Sequence, residues 1–383
     1  MSTIRIKNGT ILDPSTGARV QDDLLIRDSQ IVGLGADGQD KTHFEVDAQD
    51  CLIVPGLIDS HAHLYPLIKN GTPGEALCFP SGVTTIVDAG STGCATHALM
   101  SPFLDNSYLT VKCWLHICST GLSSLPVLED VDPSHVNRGA ILETVQRFPH
   151  RIVGIKVRTS QPIVKEFGWE PVKMAISIAE EAGLPVMVHC TNPPGPMEEL
   201  LGMLREGDVL THVYQNTGYT ILDDSRQHIS KAAWEAKQRG VLFEAADARL
   251  HFSFEVSRIA MREGFYPDFI GTDSTAVSVY QRPTAFSLAM QINKYLCLGM
   301  TEDMVFRACT SNTAKLLGLF PQIGSLKPGS AADVAVFRRE NVSTVFRDRP
   351  GYIPSGEELR GKISLKPVLT IKNGMFAYRD LTF

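Results

Sequence analysis

The chain has 383 residues, 43% hydrophobic and 20% charged, enough for a large core and for one big domain beside a smaller one. A net charge of −6 without a basic cluster argues against a nucleic-acid partner. No apolar run approaches the roughly 20 residues that span a bilayer, the start Met1-Ser2-Thr3-Ile4-Arg5-Ile6 lacks the core of a signal peptide, and eight scattered cysteines with no Cys-x-x-Cys pair suit reduced thiols in a cytoplasm.

Residues 1–55 read as short strands and turns. Ile4-Arg5-Ile6 alternates, Lys7-Asn8-Gly9 turns, and Thr10-Ile11-Leu12 runs on, a hairpin signal. Asp22 to Leu34 reads as a second hairpin turning at Asp28-Ser29. The far end repeats the first pattern, Ile371-Lys372-Asn373-Gly374 echoing Ile6-Lys7-Asn8-Gly9, and Asp333 to Phe337 is a further strand. Both termini, 1–55 and 324–383, are therefore expected to build one small β-sandwich domain interrupted by everything between.

From 56 to 323 strands alternate with amphipathic helices, the mark of βαβ units. Pro55-Gly56-Leu57-Ile58-Asp59-Ser60-His61-Ala62-His63-Leu64-Tyr65 is a strand end; alternation puts His61 and His63 on one face, with Asp59 and Tyr65 beside them. Val83–Ala89 and Thr110–Ile117 are strands two and three, and the loop Cys118–Asp132 leads through Pro133 into a helix ending near Phe148. Strand four ends at Lys156, and a helix over 166–181 stops at Ala182-Gly183. Strand five ends at His189, before Pro193-Pro194-Gly195-Pro196 opens a helix, and strand six ends at His212. A helix over 227–239, strand seven over 241–245 and a helix over 252–262 precede strand eight, which ends at Asp273; helix over 301–317 closes the unit. Eight such strands predict an α/β fold, a (β/α)8 TIM barrel, whose strand C-termini converge on one face where sites of this architecture lie.

Five strands each end in a metal-competent side chain. His61, His63, His189 and His212 suit zinc, and Asp273 adds an anionic oxygen. The competing reading of an isolated His-x-His, two histidines at a wet strand end, does not explain the other four strands. A protonated Lys156 would repel a cation. A neutral one can add carbon dioxide, giving a carbamate able to bridge two metals, and burial favours the neutral amine. The expected arrangement places His61, His63 and Asp273 on one ion, His189 and His212 on the other, and Lys156 between. Two ions about 3.5–4 Å apart would hold a hydroxide as nucleophile and polarise a carbonyl, with Asp273 as the proton carrier. Cys190 points away from His189 and is read as packing, while His97, His116, His135 and His150 fit no ligand position.

These residues resemble the amidohydrolase superfamily, in which a His-x-His lies on strand one and further ligands on strands four, five, six and eight. Pro55 to His63, the stretch Gly82-Val83-Thr84-Thr85-Ile86-Val87-Asp88-Ala89-Gly90, and the whole length including the terminal β domain carry the likeness. Gly154-Ile155-Lys156-Val157-Arg158 further resembles the dihydroorotase-like deacetylase branch. The resemblance implies two divalent ions, zinc first among them, a carboxylated lysine, a homo-oligomer, and substrates such as acetyl esters of 2-hydroxy acids or N-acetyl amino-acid derivatives.

Dihydroorotases carry arginine two residues after the second histidine; here Tyr65 stands there and is expected to face the substrate instead. Arg158, on the face of Lys156, is the candidate for a substrate carboxylate. The segment Ala246-Asp247-Ala248-Arg249-Leu250-His251 departs from the Gly-His-Gly of the deacetylase branch, and His251 is read as a solvated loop residue. The expected function is a cytoplasmic two-metal hydrolase of an ester or amide in a small carboxylic acid. The alternatives are a cyclic amidohydrolase or a deaminase of a nitrogen heterocycle and, from another class, a non-catalytic scaffold.

Overall fold

The computed structural model describes residues 2–35, 42–125, 127–248, 250–281, 285–348 and 357–383. Its centre is an eight-stranded parallel sheet whose strand order follows the chain: Leu57–Ala62, Val83–Gly93, Thr110–His116, Ile152–Arg158, Val186–His189, Val209–Thr211, Leu242–Ala246 and Phe269–Gly271. We refer to these as barrel strands one to eight. Strand one meets strand eight through a parallel bridge between Ala62 and Ser274 and a hydrogen bond from Asp273 N to His61 O of 2.7 Å, so the sheet closes as a (β/α)8 barrel. The strands are near-continuous apolar runs because both faces are covered; every residue of Val83–Gly93 is buried.

Helix boundaries moved where local chemistry outweighed periodicity. The helix expected from 166 begins at Glu170 and ends at Ala182, with Gly183 at φ +65°. Pro171 decides its start: it sits in the first turn, where its missing N–H costs nothing, whereas a start at 166 would bury it in the interior. The helix expected over 227–239 is Lys231–Gln238, capped by Ser230, because Asp223 accepts from Gln227 N and His228 N and holds that stretch in a turn. The segment over 301–317 splits into Glu302–Ala308 and Ser311–Leu316, and the helix Leu288–Cys297 was not anticipated.

The termini form two further layers. Gln30–Leu34, Leu24–Arg27, Thr3–Lys7 and Phe44–Asp47 make one sheet. Met375–Arg379, Ser364–Lys372, Val334–Glu340, Cys51–Pro55, Thr10–Asp13 and Ala18–Gln21 make the other. Ile4, Ile6 and Ile26 pack against Ile53, Val334 and Ile371 in one shared core. The hairpin expected at Asn8-Gly9 is therefore not formed: Thr3–Lys7 and Thr10–Asp13 belong to different sheets. The hairpin at Asp28-Ser29 is present, Arg27 pairing with Gln30.

One buried ion pair ties these layers to the barrel. Lys372 Nζ lies 2.6 Å from Asp333 Oδ2 and 2.8 Å from Thr110 Oγ1 at the start of barrel strand three, and both charged side chains are at most 3% exposed. Lys372→Met leaves Asp333 buried and uncompensated. Urea unfolding should show a loss of about 3–5 kcal/mol, and the double change with Asp333→Asn should recover most of it. A loss below about 1 kcal/mol in the single variant, the range of an exposed pair, would refute the role.

Candidate metal centre

The four expected histidines share one organisation: each ring has one nitrogen tied to the scaffold and the other left for the barrel mouth. His61 Nδ1 lies 2.7 Å from Glu244 Oε2 and His63 Nδ1 2.9 Å from Ser91 Oγ. His212 Nδ1 donates to Ala246 O at 2.6 Å, and His189 Nε2 lies 3.2 Å from Ser160 Oγ. Outer partners of this kind fix the tautomer and aim the remaining lone pair. The inward nitrogens meet Asp273: its Oδ1 is 3.6 Å from His61 Nε2 and 3.3 Å from His63 Nε2. His212 Nε2 is buried with no hydrogen-bond partner among the described residues.

The backbone pays for this convergence in strain. His212 and Asp273, each just past a strand end, adopt φ of +65° and +48°, a region non-glycine residues occupy only where the surroundings over-determine them. Asp59 supplies part of that determination, accepting from Thr272 N at 3.0 Å and Thr272 Oγ1 at 2.7 Å and so locking strand one to strand eight. Asp88 does the same for His63, accepting from Ser91 N and Leu64 N.

Lys156 is 2% exposed and its Nζ has no hydrogen-bond partner among the described residues. Its stem fills a notch that glycine leaves open: a Cβ on Gly90, at φ +94°, would stand 2.7 Å from Lys156 Cγ. Burial lowers the amine to about 8, against the pull of the Glu244 and Asp273 carboxylates. Burial likewise holds His189 and His212 well below the usual imidazole range, which favours the form of each that can offer a lone pair. Burial alone would raise Asp273, but the His63 contact and the His61 and His212 rings outweigh it and keep this carboxyl well below its ordinary range. An ionised carboxylate and four aimed imidazoles fit divalent cations.

Among the described residues two sets have ligand atoms within 4.8 Å of one another: His61, His63 and Asp273, and His189, His212 and His251. His251 corrects the solvated-loop reading. Its Nδ1 lies 2.7 Å from Thr191 Oγ1, its Nε2 is 3.6 Å from Asp273 Oδ2, and its ring stacks on His212 with centroids 4.2 Å apart. Glu244 was also missed. It is a charge inside an otherwise apolar strand, Phe243-Glu244-Ala245, which is the one local signal it gives. Glu244→Gln should weaken zinc binding to metal-free protein about 10- to 100-fold; unchanged titration curves would show that the His61 contact does not tune the site.

The substrate-facing expectations divide. Arg158 lines the cavity, of about 250 Å³, but its Nη1 is engaged by the buried carboxylate of Glu129 at 2.9 and 3.2 Å. Tyr65 does not line it: strand one ends at Ala62, alternation stops there, and the Tyr65 side chain is 63% exposed. Arg249, in the segment after strand seven, lies outside the described residues. Ile68, Leu122, Leu125 and Val277 give the cavity an apolar side. Cys190 packs in the core, its Sγ 3.7 Å from Met197 Sδ.

The profile of the amidohydrolase family matches residues 52–359. A deacetylase of Brucella anthropi is 32% identical over 327 residues, 82% of this chain and 79% of that one. A solved adenine deaminase superposes with a TM-score of 0.89 at 25% identity, over 99% of this chain and 100% of that one. A solved dihydroorotase gives 0.88 at 27% identity, over 99% and 98%.

Proposed function

The chain belongs to the amidohydrolase family, and from that premise we propose that it opens an ester or amide bond in a small carboxylate-bearing molecule, with an acetyl group as the acyl part. That it is a hydrolase of ester, amide or cyclic amide bonds comes with the family. Relatives of the same fold carry the names deacetylase, adenine deaminase and dihydroorotase, so the fold alone does not choose a substrate. Identity to the deacetylase, together with Tyr65 at the position of the dihydroorotase arginine, favours the first.

The observation that carries the reading is the unpartnered Lys156 amine beside four imidazoles that are each tied to the scaffold through one ring nitrogen. His61, His63 and Asp273 would hold one divalent ion, zinc for preference, and His189 and His212 a second. Lys156 would hold them as a carbamate, formed if its neutral amine adds to the carbon of carbon dioxide and loses the nitrogen proton to solvent. Such ions, when bound, polarise a carbonyl and acidify water. The chain's own residues do the rest. Asp273 takes a proton from the attacking water and returns it to the leaving alkoxide or amine. Arg158, oriented by Glu129, presents N–H groups to the substrate carboxylate, and the apolar side of the cavity limits water.

Metal content, with activity before and after chelation, tests this; full activity in metal-free protein would end it. Acetate release from acetylated 2-hydroxy and amino acids, set beside ammonia release from purines and ring opening of cyclic amides, separates the three activities. All eight cysteines are free thiols, which supports a cytoplasmic site of action. The same reading includes a β domain of 1–55 with 324–383, a barrel of 56–323, and a homo-oligomer that light scattering would detect.

A further inference from the structure

From the last residue of barrel strand seven onward, three consecutive residues make three backbone contacts that all end at the candidate metal centre. Ala246 O accepts from His212 Nδ1 at 2.6 Å. Asp247 O accepts from His251 N at 3.2 Å, and Ala248 N donates to Thr272 O, one residue before Asp273, at 3.1 Å. Ala248 and His251 line the cavity; Asp247 does not. Its side chain runs the other way, into the core, where it is 2% exposed. There it accepts from the Lys294 ammonium, and its two oxygens lie 3.0 and 3.1 Å from Tyr295 Oη. Lys294 Nζ also sits 4.0 Å from the centroid of the Phe252 ring. Lys294 and Tyr295 are neighbours on the helix Leu288–Cys297, which follows strand eight.

We infer that Asp247, clamped by Lys294 and Tyr295, is a positioning residue that sets the His212 ring and the backbone carrying His251. The inference rests on the reading of His212 as a metal-holding residue. A charge pair this deeply buried is weak evidence for stability, since a well-packed apolar pair of similar volume is commonly as stable. What the pair supplies and an apolar pair does not is direction: an ammonium and a phenol fix both carboxylate oxygens, and through them one stretch of backbone. That stretch resists being fixed, because Ala248 holds φ +39° without being glycine. Held in place, the Ala246 carbonyl keeps the His212 proton on Nδ1 and leaves Nε2 bare at the mouth of the barrel.

The test uses the full chain in two forms, Tyr295→Phe and the double change Asp247→Asn with Lys294→Met. The first removes one phenol oxygen and keeps the ring, so it should fold even if the second does not. Imidazole ¹⁵N spectra of metal-free protein should show His212 as a single Nδ1–H tautomer in the unchanged chain and as a mixture in the variants. Zinc titration against a competing chelator should show about tenfold weaker binding at one of two sites and no change at the other. An unaltered His212 spectrum in folded Tyr295→Phe overturns the inference, as does equal weakening of both sites. If the unchanged protein binds a single ion, the two-ion reading falls, and the His212 spectrum still decides the role of Asp247.

Discussion

Lys156→Met is expected to lower turnover about 1,000-fold while leaving metal-free protein at least as stable as before. The two halves have opposite signs for one physical reason. In the folded chain the Lys156 amine is 2% exposed and meets no hydrogen-bond partner among the described residues. A buried polar group in that state costs free energy rather than contributing it. Methionine has the same unbranched stem, fits the notch beside Gly90 and has no group to desolvate, so the melting temperature of the metal-free protein should hold or rise. Activity goes the other way. A cation that polarises a carbonyl is worth several kcal/mol at the transition state, and 1.36 kcal/mol corresponds to a factor of ten. On the proposed reading a carbamate on Lys156 would supply an anionic ligand, and methionine cannot form one, so bound metal should fall from two ions per chain toward one. Lys156→Arg should not restore it, because a guanidinium stays protonated and forms no carbamate. Turnover within threefold of the unchanged enzyme, with two ions still bound, would remove Lys156 from the reaction.

The six residues proposed as ligands were legible because each stands at or just past the end of an apolar run, and a parallel barrel gathers such ends whatever their separation in the chain. The residues that hold those ligands were less legible. His61 and Glu244 are 183 positions apart, and only closure of the barrel, strand eight pairing with strand one on one side and strand seven on the other, brings the two within reach. His251 follows a backbone path set by Asp247, which is anchored 47 and 48 residues later; no local pattern points to it. Arg158 faces the cavity as expected, yet Glu129, 29 residues earlier, already occupies part of its fork.

The repeated tetrapeptide makes the same point about the fold. At Lys372-Asn373-Gly374 both Asn373 (φ +47°) and Gly374 (φ +76°) are left-handed, and Lys372 pairs with Met375 across a two-residue hairpin. At Lys7-Asn8-Gly9 only Asn8 is left-handed, and the chain passes from one sheet to the other. Gly9 is needed there for space: a Cβ on it would stand 2.5 Å from Ile53 Cδ1. Identical letters give a turn in one place and a crossover in the other because the packing partner of the second strand differs.

Asp273→Asn is expected to reduce kcat by about 10²- to 10⁴-fold, the range of a lost general acid–base group, with KM changed far less. Asparagine keeps the shape of the side chain and an oxygen that can still face His61 and His63, 3.6 and 3.3 Å away. It cannot accept the proton that an attacking water must lose. The carboxylate is suited to that task although its affinity for a proton is low: burial raises it, while the His63 contact and the His61 and His212 rings more than offset burial. The group is therefore ionised and ready whenever substrate arrives. A loss confined to kcat assigns Asp273 to the transition state, whereas a matching rise in KM would assign it to holding the ground state. If neither constant moves for any ester, amide or cyclic amide, Asp273 carries no proton in the reaction and another group must take the proton of the attacking water.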